Sequence, residues 1–217
     1  MIELLEKSRE LVVCVKPAGI ASQGEDVQAL PALLAAQVGG PVYCLHRLDQ
    51  AVGGVMVFAR TKQAAAAMSR TIQENRLQKE YLAVLEKRPE KDEGELRDLL
   101  FHDRFKNKTF VVSRARKGVK EARLRYRVLE ETDGACLVHI RLETGRTHQI
   151  RVQFASRGCP LVGDGKYGSR SGDKSPALWS YALTIPMGDG EKRLCKLPQG
   201  GVWERFGETL SNLETLI

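Results

Sequence analysis

The stretch that decides the fold is FVVSRARKGVKEARLRYRVLEETDGACLVHIRLE, residues 110–143. Apolar and β-branched residues at 110–113, 121–129 and 135–143 predict three strands, and the last alternates apolar with polar positions. A basic turn around Lys117 joins the first two strands. Strands in such hairpin-like succession are typical of an antiparallel sheet. We therefore expect an α+β fold on a largely antiparallel mixed β-sheet with flanking helices.

The rest of the chain supplies the helices and further strands of this fold. Apolar runs predict strands at 11–15, 54–60, 79–86 and 178–185. Helical spacing predicts helices at 26–37, 61–75, 147–156 and 203–217, with Thr61 and Thr147 as N-caps. Glycine, serine and lysine predict a long mobile loop at 163–176. Without repeats or an obvious linker, residues 1–217 are expected to form a single domain.

Composition limits the classes of protein to which the chain can belong. Its 217 residues suffice for a real core, and 42% hydrophobic with 28% charged residues is typical of a globular protein in solution. No apolar run approaches the roughly 20 residues of a membrane span. The first residues lack the pattern of an export signal. We therefore expect a cytoplasmic protein that does not bind membranes.

The cysteines and histidines do not suggest a metal centre. The five cysteines are scattered and never spaced as C-x-x-C, and His102 and His139 stand alone. Reduced, mostly buried thiols are the better interpretation in a cytoplasmic protein. We expect neither a metal nor a cofactor.

Positive charge is concentrated in one segment. The formal charge is +7, but residues 104–127 hold ten basic residues and a single acidic one, Glu121, so the remainder is slightly acidic. A concentrated basic patch favours a polyanion as partner. A solvated strand face that keeps the protein soluble fits the charge equally well.

Two polar clusters carry the chemistry. The first is HRLD at residues 46–49, where Asp49 stands close to Arg47 before an apolar run. A carboxylate beside a guanidinium suits a nucleophile that stays ionised near neutral pH. The second is TGRTHQIR at residues 144–151, with KEY at 79–81 between them. HRLD differs from a kinase catalytic loop because a leucine is inserted, and no glycine-rich phosphate loop accompanies it.

Five motifs in this order and spacing resemble the RluA-type pseudouridine synthases. They are KPAG (16–19), HRLD (46–49), KEYLA (79–83), TGRTHQIR (144–151) and GCPLVGD (158–164), the last followed by YG (167–168). The likeness covers about residues 11 to 185. It implies the pseudouridine synthase fold, one catalytic domain, and isomerisation of specific uridines in rRNA and/or tRNA to pseudouridine.

The resemblance assigns three catalytic residues. Asp49 is the essential nucleophile, in a pocket that excludes water. Arg151 is its charge partner, although a surface guanidinium is the plainer interpretation of a lone arginine. Tyr81 stacks on uracil and serves proton transfer at C5, where ordinary half-buried packing is the alternative. Attack on the ribose C1′, attack on the ring and a glycal route all stay open.

Further positions are expected to bind the substrate or support the site. Arg47 fills the space left by the flipped uridine, and Val152 presses on the uracil. Bracing by hydrogen bonds, rather than proton transfer, is expected of His46, His148 and Gln149. The basic segment is expected to contact the RNA backbone through Lys117, Lys120 and Arg123.

Three departures from the family pattern leave alternatives open. Val52-Gly53-Gly54 stands where the family commonly has Thr-Ser-Gly, and Leu178-Trp179-Ser180 where it often has Leu-His-Ala. Because only about fifteen residues precede KPAG in this sequence, we expect no S4 RNA-binding domain. We expect a monomer that binds RNA with its own surface. The alternatives are a non-catalytic RNA-binding or ribosome-assembly factor of the same fold and, more remotely, a nucleoside hydrolase.

Overall fold

The computed structural model describes residues 1–187 and 190–217, which divide into two compact units. Unit 1 comprises Met1–Lys79 and Trp179–Leu197, and unit 2 comprises Glu80–Leu178 and Pro198–Ile217. Both contain strands and helices, so the expected α+β class is confirmed. The expectation of one catalytic domain over residues 1–217, without an S4 domain, stays a prediction.

The secondary structure follows the predicted pattern with several additions. In chain order the elements are β1 (Glu3–Lys7), β2 (Leu11–Lys16), α1 (Leu30–Val38), β3 (Tyr43–Cys44), β4 (Gly53–Ala59), α2 (Lys62–Gln73), β5 (Gln78–Leu85), β6 (Glu93–Asp103), β7 (Lys108–Val112), β8 (Val119–Thr132), β9 (Ala135–Leu142), α3 (Gln149–Ala155), β10 (Leu178–Met187), β11 (Gly190–Cys195), α4 (Gly207–Ser211) and α5 (Leu213–Leu216), with 3₁₀ helices at Gly165–Tyr167 and Gly201–Phe206. Among the described residues, no helix has the length and apolar character needed to cross a membrane.

Unit 1 is built on a mixed sheet in the order β1-β2-β4-β10, with β3 beside β4 and β11 beside β10. Its pairs are antiparallel except β4 with β10, which is parallel. Strands β2 and β4 are buried along their whole length because nearly every residue is apolar. Helix α2 packs Ala64 and Met68 onto this core, and Thr61 Oγ1 accepts the Ala64 N–H as the predicted N-cap.

Helix α1 begins four residues later than predicted. The side chain of Asp26 accepts the Gln28 N–H at 2.8 Å, which holds the preceding residues in a turn. Pro31 then occupies the first turn of the helix, where a missing N–H costs nothing. Gly39, at φ 73°, ends the helix in the left-handed conformation.

Unit 2 contains the strands predicted from residues 110–143. The strands of this unit follow the order β5-β9-β8-β6-β7. The three pairs β9 with β8, β8 with β6, and β6 with β7 are antiparallel. Strand β6 was not predicted because its sequence, EGELRDLLFHD, is too polar. Exposed charges on β6 form ion pairs with the neighbouring strand. For example, Arg97 Nε lies 2.7 Å from a carboxylate oxygen of Glu121 on β8.

The predicted N-cap of helix α3 is wrong. The N-cap is His148, at φ 53°, and no side chain caps the helix. The carbonyl of Thr147 instead accepts a hydrogen bond from Thr109 Oγ1 at 2.8 Å. Gln149 supports the turn, since its Oε1 accepts from Thr144 Oγ1 and Arg146 N–H, and its Nε2 donates to Arg123 O. These hydrogen bonds hold the turn before helix α3, and a bracing role of Gln149 at the site stays a prediction.

The segment 163–176 contains more order than its composition suggested. Glu86 Oε1 accepts hydrogen bonds from Ser169 Oγ and from the N–H groups of Arg170 and Ser171. A single carboxylate therefore fixes the middle of the segment. The predicted closing helix at 203–217 is replaced by a 3₁₀ helix and two short α-helices.

Candidate functional site

The predicted site residues are divided between the units. Unit 1 contains His46, Arg47 and Asp49. Unit 2 contains Tyr81, Lys117, Lys120, Arg123, His148, Gln149, Arg151 and Val152.

In unit 1 a buried cation holds the loop that carries Asp49. Lys16 is fully buried, and its Nζ donates to the carbonyl oxygens of Pro17 at 2.9 Å, Gln50 at 3.0 Å and Val52 at 2.7 Å. The Val52 N–H in turn donates to Asp49 O at 3.0 Å. One ammonium therefore ties the KPAG turn to the residues directly after Asp49, and all three of its protons are used.

Lys16 also affects Asp49 electrostatically. Burial lowers the pKa of Lys16 to about 8, and the negative charge of Asp49 opposes that change. The two groups are thus close enough to interact electrostatically. Sequence reasoning did not assign Lys16 a role, although KPAG was one of the five motifs.

The residues before Asp49 are fixed by hydrogen bonds from two other elements. Ser22 Oγ donates to Leu48 O at 2.8 Å, and His46 Nε2 accepts the Val57 N–H at 3.1 Å. Burial and then the positive charge of Lys79 lower the pKa of His46 to about 3, so the ring is neutral near pH 7. This favours bracing over proton transfer for His46. Arg47 is exposed beside the buried Leu48.

The two departures from the family pattern in unit 1 contact each other. A Cβ on Gly53 would collide with the indole ring of Trp179, and one on Gly54, at φ 119°, would collide with the backbone of Ser180. Trp179 is anchored because its Nε1 donates to Lys196 O at 2.7 Å. Gly53 thus makes room for Trp179, and the family's serine at this position would not fit beside that ring.

In unit 2 a buried carboxylate orients Arg151. Arg151 Nε donates to Asp164 Oδ2 at 2.7 Å, and Nη2 donates to Oδ1 at 2.8 Å. Both side chains are buried, with 8% and 1% exposure. Two parallel hydrogen bonds fix the plane of the guanidinium as well as its position.

Tyr167 connects Arg151 to the β6–β7 hairpin. Its ring centroid lies 5.1 Å from the guanidinium carbon of Arg151 and 5.2 Å from Lys108 Nζ. Its hydroxyl oxygen accepts the Thr109 N–H at 2.8 Å and lies 2.9 Å from His148 Nδ1. Sequence reasoning missed Asp164 and Tyr167, although both lie in motifs that carried the resemblance.

Tyr81 and Val152 are largely buried in unit 2. Tyr81, in β5, is 5% exposed, and the neighbouring Glu80 has Oε2 2.8 Å from His139 Nε2 on β9. Val152 packs with Leu100 and Ala122 in a small apolar cluster that also contacts Tyr167. Contact of either residue with uracil stays a prediction.

The basic segment has two electrostatically different parts. Along β8, Arg123 and Arg125 lie 3.9 Å and 3.0 Å from oxygens of Glu143. Lys117 and Lys120, at and after the turn into β8, are exposed. Among the described residues, no group of three or more His, Cys, Asp or Glu side chains could hold a metal ion.

Comparison with known proteins points to one family. A family profile described as RNA pseudouridylate synthase matches residues 10–156. The chain is 35% identical over 208 residues to ribosomal large subunit pseudouridine synthase D of Nitrosomonas europaea, covering 85% of this chain and 58% of that protein. It is 30% identical over 172 residues to an uncharacterized RNA pseudouridine synthase of Haemophilus influenzae, covering 78% and 75%. The chain thus spans less than two thirds of the first relative.

Solved structures share the fold. Human RNA pseudouridylate synthase domain containing 4 is 25% identical, with a TM-score of 0.77 over 98% of this chain and 93% of that chain. Human RNA pseudouridylate synthase domain containing 1 has a TM-score of 0.79 at 22% identity, over 97% and 95%. The predicted fold is therefore confirmed.

Proposed function

The chain belongs to the RNA pseudouridylate synthase family, and from that premise we propose that it isomerises specific uridines of RNA to pseudouridine. The observation that carries the proposal is the family match over residues 10–156, which includes both the Asp49 loop and Arg151. The relative named for the large ribosomal subunit favours rRNA as the substrate, with tRNA as the other candidate. The cytoplasmic location and the monomeric state stay predictions.

Asp49 is proposed as the nucleophile. The N1–C1′ bond breaks, the uracil turns over, and a C5–C1′ bond forms while C5 loses a proton and N1 gains one. The reaction is redox-neutral, so the side chains need only supply a nucleophile and move protons. The Lys16 ammonium places a positive charge close to the proposed nucleophile. Attack on C1′ or on the ring would use Asp49 as the nucleophile, whereas in a glycal route the same carboxylate would act as the base that takes the C2′ proton.

Arg151 and Tyr81 complete the proposed catalytic set. Arg151 is oriented by Asp164, as a charge partner for a carboxylate requires. Its predicted partnership with Asp49 is tested by a double-mutant cycle on turnover, in which a coupled pair gives non-additive losses. Tyr81 is proposed to stack on uracil and to take the C5 proton. Arg47, exposed two residues before Asp49, is proposed to fill the stack that the flipped uridine leaves.

The deciding experiment compares wild-type protein with Asp49→Asn on total RNA. We expect the wild type to form pseudouridine, detected by carbodiimide mapping or mass spectrometry. The variant should bind RNA nearly as well and form none. Wild-type protein that binds RNA without forming pseudouridine would favour the non-catalytic RNA-binding or ribosome-assembly factor. Free uracil among the products would favour a nucleoside hydrolase.

The proposed interaction with the RNA backbone is tested by salt dependence. Alanine at Lys117, Lys120 and Arg123 together should weaken RNA binding and flatten the log–log salt slope by about 0.7 to 0.9 for each phosphate that is no longer neutralised. Arg125→Ala is the comparison variant, because Arg125 lies closer to Glu143, at 3.0 Å, than Arg123 does, at 3.9 Å. If the salt slope of the triple variant equals that of the wild type, these three residues do not contact the RNA backbone.

A further inference from the structure

The tip of the β6–β7 hairpin presents a fully exposed aromatic ring. Residues 104–107, Arg-Phe-Lys-Asn, connect the two strands, and Phe105 is 104% exposed. We propose that Phe105 stacks on an unpaired base of the RNA, so that the hairpin selects single-stranded or loop RNA over a continuous duplex. This inference rests on the proposed function, because it takes RNA as the substrate.

The turn that carries Phe105 is ordered by its own hydrogen bonds. Asp103 Oδ1 accepts the Lys106 N–H at 3.0 Å, and Asp103 pairs with Lys108 in the ladder below. Lys166 Nζ donates to Asn107 O at 3.0 Å. Asn107 adopts φ 43°, a conformation that asparagine tolerates better than most residues. The ring is therefore presented from a built turn, so less conformational entropy is lost on stacking.

The charge around the ring suits a polyanion. From 104 to 120 the chain has seven basic residues and no acidic one. Arg104 and Lys106 flank Phe105 directly and are exposed, as is the ring. The closest carboxylate in sequence, that of Asp103, already accepts a backbone N–H. An aromatic ring between cations is the combination that binds single strands, where the ring stacks on a base and the cations contact phosphates.

A paired duplex offers such a ring little to bind. Its bases are stacked on both faces, whereas the bases of loops and bulges can be splayed out onto aromatic side chains. Two further aromatic rings of the hairpin lie near cations: Lys108 Nζ is 5.9 Å from the Phe110 ring, and Arg116, in the connection after β7, is 4.9 Å from the Phe101 ring. The rest of the hairpin therefore presents aromatic rings beside positive charges, as its tip does.

The test compares two fluorescein-labelled RNAs of equal length, a stem with an unpaired loop and a continuous duplex, in the non-reacting Asp49→Asn background. Adding Phe105→Ala should weaken binding of the loop RNA about 5- to 100-fold, the range for loss of one stacked base. Duplex affinity and the salt slope should be unchanged, because no charge is removed. Lys106→Ala is the control, since it should weaken binding of both RNAs and flatten the slope.

Two further variants separate stacking from apolar contact. Phe105→Trp should keep the affinity and give fluorescence quenching on binding the loop RNA, beyond any seen with Trp179 and Trp203 alone. Phe105→Leu should behave like the alanine variant. The proposal is overturned if Phe105→Ala binds loop RNA as tightly as the parent, if the affinities for loop and duplex fall equally, or if leucine restores binding. Pseudouridine formation by the wild type tests the proposed function separately.

Discussion

The neighbourhoods of Asp49 and Arg151 are held by different chemistry. In unit 1, the Asp49 loop is fixed through its main chain, whose carbonyls surround the Lys16 ammonium. In unit 2, Arg151 is fixed through side chains, by the Asp164 carboxylate and the Tyr167 ring. Main-chain anchoring makes little demand on side-chain identity, which explains how Val52-Gly53-Gly54 can replace Thr-Ser-Gly. Side-chain anchoring depends on particular residues.

Removing the carboxylate that orients Arg151 should have the largest effect. Asp164→Asn removes the buried carboxylate that lies 2.7 Å from Arg151 Nε, and breaking a buried ion pair by removing one partner typically costs about 3–5 kcal/mol of stability. We also expect kcat for pseudouridine formation to fall about 10- to 100-fold with a smaller change in KM, since Arg151 loses its orientation. Urea unfolding and steady-state kinetics measure both effects. Wild-type stability and kcat in the Asn variant would show that Asp164 does not position Arg151.

Removing the cation of the Asp49 loop should have the next largest effect. Lys16→Met leaves three main-chain carbonyls without their donor, and each unsatisfied buried acceptor costs about 1–3 kcal/mol. Because two of the three bonds are only part-buried, we expect a total loss of about 2–4 kcal/mol by urea unfolding. Val12→Ala, a cavity-forming change in the same strand, is the control for stability loss alone. Turnover reduced no further than in that control would contradict loop anchoring by Lys16.

The Gly53 and Trp179 pair tests how far the Asp49 loop tolerates side-chain change. Gly53→Ser should cost about 1–3 kcal/mol, because the new Cβ meets the indole ring. Adding Trp179→His, which restores the family's pattern at both positions, should recover most of that loss. A double-mutant cycle by urea unfolding measures the coupling. Additive losses would show that Gly53 and Trp179 are not energetically coupled.

His46 gives the smallest effect, and it depends on pH. The pKa of His46 is lowered from 6.5 to about 3 in the folded protein. Between these values the unfolded chain binds a proton that the folded chain does not, so stability present above about pH 6.5 is lost as pH falls toward 3. His46→Gln, whose side-chain oxygen can accept the same Val57 N–H, should lessen this loss. Urea midpoints at pH 7 and pH 5 that shift equally in both proteins would contradict the assignment.

Sequence alone predicted the features that depend on local pattern. Alternation and β-branched runs gave β2, β4, β5 and β7 to β10, whereas the polar strand β6 was missed because its charges are matched only by cross-strand partners. The order and spacing of the five motifs identified the family and indicated the proposed site residues. The contacts that orient those residues were not predictable, since Lys16 meets Val52 and Arg151 meets Asp164 through tertiary structure.

The basic segment shows the same limit for electrostatics. Counting charges along residues 104–127 made the segment one patch. In the fold, Arg123 and Arg125 lie beside Glu143, and Arg125 also lies 3.9 Å from Glu95. Those carboxylates are distant in sequence from their partners. The tip of the β6–β7 hairpin therefore offers more available positive charge than the centre of β8. This difference cannot be predicted from the amino-acid composition of the segment.

The left-handed backbone of His148 has an energetic consequence for this site. A side chain at φ 53° costs about 1 kcal/mol that glycine would avoid. Glycine, however, would remove the imidazole that lies 2.9 Å from the Tyr167 hydroxyl. Replacement by glycine would therefore relieve backbone strain but lose the contact between His148 and Tyr167. The strain at His148 is thus retained together with a hydrogen bond that joins the start of helix α3 to Tyr167.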